Sequence, residues 1–241
     1  MPNPSFSRWR EKEPAKRADE GTWSAAEPSD PASPEHRLPP GGRRTKRGLP
    51  PSTFFTRPVV DLARLLLGAT LLVDGIGGII VETEAYGRDD PASHSFRGAT
   101  ARNAAMFGAA GHAYIYRSYG IHWCFNIVGG AEPGSAVLVR ALEPTTGLDA
   151  MRARRGIADP RLLCAGPGRL CQALGLSAAH DGMALDRPPF ALLPRAAEPS
   201  IVTGPRIGIT RGSDSPWRFG LAGSRFFSRP FPRPSGAPSG T

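Results

Sequence analysis

Apolar and polar positions alternate with two different periods along this chain. Behind Pro58, the residues Val59, Val60, Leu62, Ala63, Leu66 and Leu67 recur at helical spacing, and Gly68 stands where such a helix would stop. Two strand-like runs follow, 70–73 and 79–85, with Asp74-Gly75-Ile76-Gly77-Gly78 as the turn between them. A loop over 87–100 leads to a short helix near 101–107. Residues 112–116 and 121–128 then read as the arms of a hairpin around Arg117-Ser118-Tyr119-Gly120. A strand at 136–142 precedes helices over 148–155 and 167–174, and the stretch 190–227 is β-leaning and punctuated by Pro and Gly. Strands dominate and their connections are short, which predicts antiparallel pairing and the α+β class.

The ends of the chain carry no such pattern. Residues 1–48 hold eight prolines, ten basic and seven acidic residues, and read as a disordered arm ending in the basic run Arg43-Arg44-Thr45-Lys46-Arg47. Residues 230–241, with Pro230, Pro232, Pro234 and Pro238, read as a loose tail. One domain over 49–229 is therefore expected, within the usual single-domain size. The longest nearly apolar run, 65–73, is too short to cross a bilayer, and the first ten residues lack the apolar stretch of a signal peptide. Three cysteines without a C-x-x-C pair suit a reducing compartment. The expected location is intracellular, with no membrane association.

The formal net charge of +9 points to a polyanionic partner. Only three of the 30 basic residues are lysines (Lys12, Lys16 and Lys46), so no Lys nucleophile is available beyond residue 46.

The densest polar segment is Val81-Glu82-Thr83-Glu84-Ala85-Tyr86. On a strand, Glu82, Glu84 and Tyr86 share one face. Two buried carboxylates on one face would push one toward a raised pKa, as in general acid/base catalysis, although a solvent-facing strand has the same pattern. His94 follows in a nearby loop, and all four tyrosines fall between 86 and 119. Aromatic faces, a histidine and a carboxylate together suit a socket for an extruded base. His122 and Cys124, even with His94 or His112, complete no zinc-type spacing, so neither metal nor cofactor is expected. Gly166-Pro167-Gly168-Arg169, opening a helix, is a weak anion-site signal.

Taken in order, several segments resemble the alkyladenine (3-methyladenine, methylpurine) DNA glycosylase family. They are Leu62-Ala-Arg-Leu-Leu-Leu-Gly68, Val81-Glu-Thr-Glu-Ala-Tyr86, Ala92-Ser-His94, Thr100-Ala-Arg-Asn103, Met106-Phe107, Tyr114-Ile-Tyr116 and Tyr119-Gly120. The series continues through Cys124-Phe-Asn126, Val137-Leu-Val-Arg-Ala-Leu-Glu-Pro144, Gly166-Pro167, Leu170-Cys-Gln-Ala-Leu174 and Arg206-Ile-Gly-Ile209. The resemblance implies a single compact domain on a curved antiparallel sheet with peripheral helices and a protruding hairpin. It also implies base-excision repair: a damaged purine flipped from double-stranded DNA and cut from its sugar. By that resemblance Glu84 is the general base and Arg140 holds it and its water. Tyr86, His94, Tyr116, Asn126, Ala92 and Ile207 line the base pocket. Tyr119 wedges into the duplex with Ile121 beside it, and Arg169 is positioned for a phosphate contact.

With no lysine in the domain, hydrolysis by water without lyase chemistry is the expected reaction. A monomer is expected, and the Arg-rich composition with the short spacing near His94 points to a bacterial source. Two alternatives exist. A non-catalytic damage-binding protein of the same fold would keep Tyr119 while losing Glu84 or Arg140, and both are present. A glycosidase acting on sugars through Glu82 and Glu84 would need carboxylates flanking the scissile bond, whereas these point in parallel.

Overall fold

The computed structural model describes residues 52–232, and the arm expected over 1–48 and the end of the expected tail lie outside them. Pro58 caps the helix α2 (Val59–Leu65) after a single turn, α1 (Ser52–Phe55), which the apolar pattern did not announce. α2 buries Leu62 and Ala63 against the sheet, and Leu66 and Leu67 complete its apolar end.

Strands β1 (Thr70–Val73) and β2 (Ile76–Tyr86) follow. The turn between them is shorter than expected: Val73 pairs with Ile76 across Asp74-Gly75 alone, both with positive φ, as a tight two-residue hairpin demands. Gly77 and Gly78 belong to the strand instead. A side chain on either would drive a Cβ to 1.9 Å from a neighbouring carbonyl, that of Leu71 or of Glu143. Glycine here marks close backbone approach rather than a turn.

The remaining elements are β3 (Ala113–Ser118), β4 (His122–Val128), β5 (Ala136–Thr146), α3 (Leu148–Arg155), α4 (Pro160–Leu163), α5 (Pro167–Leu174), β6 (Phe190–Leu193), β7 (Ile201–Gly204) and β8 (Arg218–Leu221). The helix expected near 101–107 shrinks to a 3₁₀ turn at Ala104–Phe107. Eight strands form one antiparallel sheet in the order β3-β4-β5-β2-β1-β6, with β8 on β2 and β7 on β8. β2 is the axis of this sheet. One edge runs along β5, while the other is shared between β1 at its start and β8 at its end. Irregular register at Gly77/Gly78 and on both sides of Glu82 bends it, as bulges do, and the sheet curls. The fold is α+β, as the sequence pattern predicts.

Alternation then assigns each strand two different faces. Ile115, Phe125, Ile127, Val137 and Val139 join Leu62, Met151, Leu170 and Leu174 from the helices in the main apolar core. The opposite face carries Tyr114, Asn126, Leu138 and Glu84, aligned across β3, β4, β5 and β2 by direct pairing. Burying apolar side chains on one face at about 25 cal/mol per Å² makes that face the anchor and leaves the other free for polar chemistry.

The segment after β8 packs back on it. Phe231 packs on Phe227, with ring centroids 4.9 Å apart, and the Arg218 guanidinium lies over the Phe231 ring at 3.9 Å. Packing thus runs two residues past the boundary expected at 229.

Candidate active site

The second half of β2 brings Glu82, Glu84 and Tyr86 to the polar face, as strand alternation predicts. Neither carboxylate meets solvent; both residues are 0% exposed. The solvent-facing reading of this segment is therefore wrong, because β5, β8 and the segments beyond them cover it. Arg140 reaches from β5 between the two carboxylates, its Nε 2.9 Å from Glu82 Oε1 and its Nη1 3.2 Å from Glu84 Oε2. Burial works against the charge of Arg140, but Glu84 and Glu82 outweigh it and raise its pKa. Arg218 adds a second cation, its Nε 2.8 Å from Glu82 Oε1. Two guanidiniums thus answer two carboxylates, a balance that nothing in the hexapeptide reveals.

Glu84 receives two further donors. The Tyr86 hydroxyl donates to Oε2 at 2.8 Å and the Ile207 backbone N–H donates to Oε1 at 2.7 Å. Burial, then the Glu84 charge and this hydrogen bond, raise the Tyr86 pKa far above its ordinary value and keep its hydroxyl protonated. Tyr86, Arg140 and Ile207 all line a cavity of about 550 Å³, whereas Glu84 itself is not part of the lining. Ala92, His94, Tyr116, Asn126 and Tyr119 line it too.

The cavity floor is aromatic. The His94 and Tyr116 rings meet edge to face with centroids 4.4 Å apart, and Tyr114 lies 5.5 Å from Tyr116. His94 Nδ1 is hydrogen-bonded to the Tyr114 hydroxyl at 2.8 Å. Burial, helped by the charge of Arg102, lowers the His94 pKa and favours the neutral ring. Burial pushes Tyr114 up to about 12 and carries Tyr116 higher, with Cys124 adding to the latter. The Asn126 amide donates to the Tyr114 carbonyl at 3.0 Å, which fixes its head group against the wall. Arg102, Arg117 and Arg211 also line the cavity.

Tyr119 stands at the tip of the β3–β4 hairpin, 88% exposed and with φ of 51°, followed by Gly120 at 68°. Left-handed backbone at a tyrosine costs roughly 1–2 kcal/mol, so this ring is presented at the expense of strain. Ile121 is 67% exposed beside it but does not line the cavity. Arg169 stays outside as well, on the first turn of α5, donating to the Ala165 carbonyl. Its neighbour Gly168 lies against the hairpin, since a Cβ there would meet His122 at 2.9 Å. Among the described residues no group of three His, Cys, Asp or Glu could hold a metal ion.

A sequence profile of the methylpurine-DNA glycosylase family matches residues 53–225, most of the chain and every residue that lines this cavity. The chain belongs to that family. A protein of Rhodopseudomonas palustris (strain HaA2) is 65% identical over 179 residues, 74% of this chain and 89% of its own. One from Nitrosospira multiformis is 62% identical over 185 residues, 76% of this chain and 96% of its own. A third, from Granulibacter bethesdensis, is 64% identical over 182 residues, 74% and 86% respectively. Each bears the name "Putative 3-methyladenine DNA glycosylase". Family membership assigns the chain to DNA glycosylases of base-excision repair and makes DNA its substrate. No helix among the described residues is long and apolar enough to cross a membrane.

Several residues of the site escaped the sequence reading. Arg218, Ser228 and Asp90 carried no local signal, because each meets its partner more than a hundred positions away. Arg206 was visible only as part of a family-like motif.

Proposed function

We propose that this protein is a monofunctional glycosylase that flips alkylated or deaminated purines out of duplex DNA and hydrolyses the N-glycosidic bond with a water activated by Glu84. One observation carries the reading: Glu84 is fully buried, yet all three groups that hold it line the cavity. A carboxylate accepts at about four lone-pair positions, so two hydrogen bonds and the Arg140 ion pair leave capacity for a water.

In this mechanism the water oxygen attacks C1′ of the sugar while Glu84 takes its proton. The C1′–N bond breaks and its electron pair leaves with the base. Glu84 also stabilises the positive charge that develops on the sugar, in a site with little water to screen it. The base rests among Tyr86, His94 and Tyr116. A neutral His94 suits a cationic alkylpurine, which aromatic faces attract and a charged imidazole would repel. Such a base is already a good leaving group and needs no protonation. Asn126 bears on the purine edge and so on specificity, while Ala92 and Ile207 bound the socket. Tyr119 fills the gap left in the duplex, with Ile121 beside it; an inserted ring offsets part of an unstacking cost of about a few kcal/mol. The arginines at the cavity, and Arg169 beyond it, meet phosphates. The protein works as a monomer, inside a bacterial cell, without metal or cofactor.

Duplex oligonucleotides carrying 3-methyladenine, 7-methylguanine, hypoxanthine or ethenoadenine, each treated with alkali after incubation, test this. Strand cleavage is expected at one lesion at least, and only after alkali. Binding without any cleavage would favour a damage-recognition protein. A covalent adduct trapped by borohydride would replace water with an amine as the nucleophile.

A further inference from the structure

Outside the cavity lining lies a buried ion pair, Arg206–Asp90, that contacts three of the segments forming its walls. The Arg206 side chain is 0% exposed and that of Asp90 is 2% exposed. Arg206 Nη1 donates to Asp90 and, at 2.9 Å, to the Ala85 carbonyl. Its Nη2 donates to Asp90 at 3.0 Å and to the Gly212 carbonyl at 2.9 Å. The guanidinium carbon lies 4.8 Å from the centroid of the Tyr86 ring and 5.2 Å from that of the Trp217 ring. Asp90 in turn accepts the Ala92 N–H at 3.0 Å.

One side chain therefore pins three segments that meet at the site. The end of β2 carries Glu84 and Tyr86. The loop after it carries Ala92 and His94, and the segment 206–212 carries the Ile207 N–H that holds Glu84. Arg206 and Ile207 share a peptide bond, so the guanidinium fixes the direction of that N–H at one residue's remove.

We propose that Arg206, locked by Asp90, is a positioning residue that sets the aim of Glu84 through the Ile207 amide and the Tyr86 ring. It touches neither base nor sugar. A buried bidentate pair costs desolvation to form, and its return here is geometry: the planar fork and the stacked face fix orientation in a way that a lysine ammonium cannot.

The inference rests on the glycosylase reading for its purpose but not for its first test. Amide hydrogen exchange on the free full-length protein, comparing wild type with Arg206→Lys and Asp90→Asn, is expected to show protection at Ile207 reduced roughly tenfold or more. Val137 and Val139, in the core of β5, should stay within about twofold of wild type. In single-turnover excision, Arg206→Lys is expected to lower the rate far more than the lesion affinity. Unchanged protection at Ile207, or a loss that follows the β5 amides in both variants, overturns the proposal, as does an Arg206→Lys loss in lesion affinity as large as its loss in rate. If wild type excises no lesion while Ile207 alone loses protection, the positioning role stands and the glycosylase reading falls.

Discussion

Glu82 and Glu84 sit two residues apart on one strand, point to one face, and share Arg140, yet their surroundings differ in kind. Glu82 is saturated. Its Oε1 takes Arg140, Arg218 and the Ser228 hydroxyl, and its Oε2 takes the Ser228 N–H at 2.5 Å. Two of its partner residues, Arg218 and Ser228, tie β8 and the segment that follows it to β2, and neither lines the cavity. Glu84 accepts only two hydrogen bonds besides its Arg140 ion pair, and all its partners line the cavity. Spacing puts charge on a face, while on the proposed reading the number and origin of donors separate a structural carboxylate from a base.

The largest effect that sharpens this contrast is on rate. Glu84→Gln keeps the shape and removes the charge, so excision should fall by about 10²–10⁴-fold with lesion binding retained, as read by single-turnover kinetics and gel shift. Glu82→Gln should act on stability instead. It leaves Arg218 buried without its counter-ion, and breaking such a pair costs about 3–5 kcal/mol in denaturant melts.

A smaller effect belongs to the hairpin tip. Tyr119→Gly should weaken duplex binding by about 1–3 kcal/mol through lost stacking, measured by titration of a lesion duplex. It should not lower the melting temperature, because glycine accepts the left-handed backbone without strain.

The smallest effect concerns His94. Its folded pKa lies below the ordinary value of about 6.5, so the unfolded chain takes up the proton more readily. The neutral, folded form is fully favoured above that ordinary value, and its stability is lost as pH falls through the folded pKa. Melting temperatures of wild type should therefore drop more between pH 7 and 5 than those of His94→Gln, and equal slopes would show that His94 is not the group responsible.

Much of this was legible before any coordinates. The α3 and α5 helices lie where the apolar spacing puts them, because Gly and Pro mark their ends. Strand alternation grouped Glu82, Glu84 and Tyr86 correctly. What the pattern misread shares one cause: it is local. Gly77 and Gly78 look like turn residues until their neighbours' carbonyls are seen to exclude a Cβ. The two carboxylates look solvent-facing until Arg140, Arg218 and Ser228 arrive from far along the chain. The Arg206–Asp90 pair spans 116 positions and has no periodicity to betray it.

The central claim is that Glu84, and not Glu82, is the base. It is tested most directly by single-turnover excision of a lesion duplex, per folded molecule, with Glu84→Gln and Glu82→Gln side by side. The account predicts a Glu84→Gln rate at least about a hundredfold below wild type, while folded Glu82→Gln stays within about tenfold of it. Equal losses in the two variants, or an active Glu84→Gln, would contradict it.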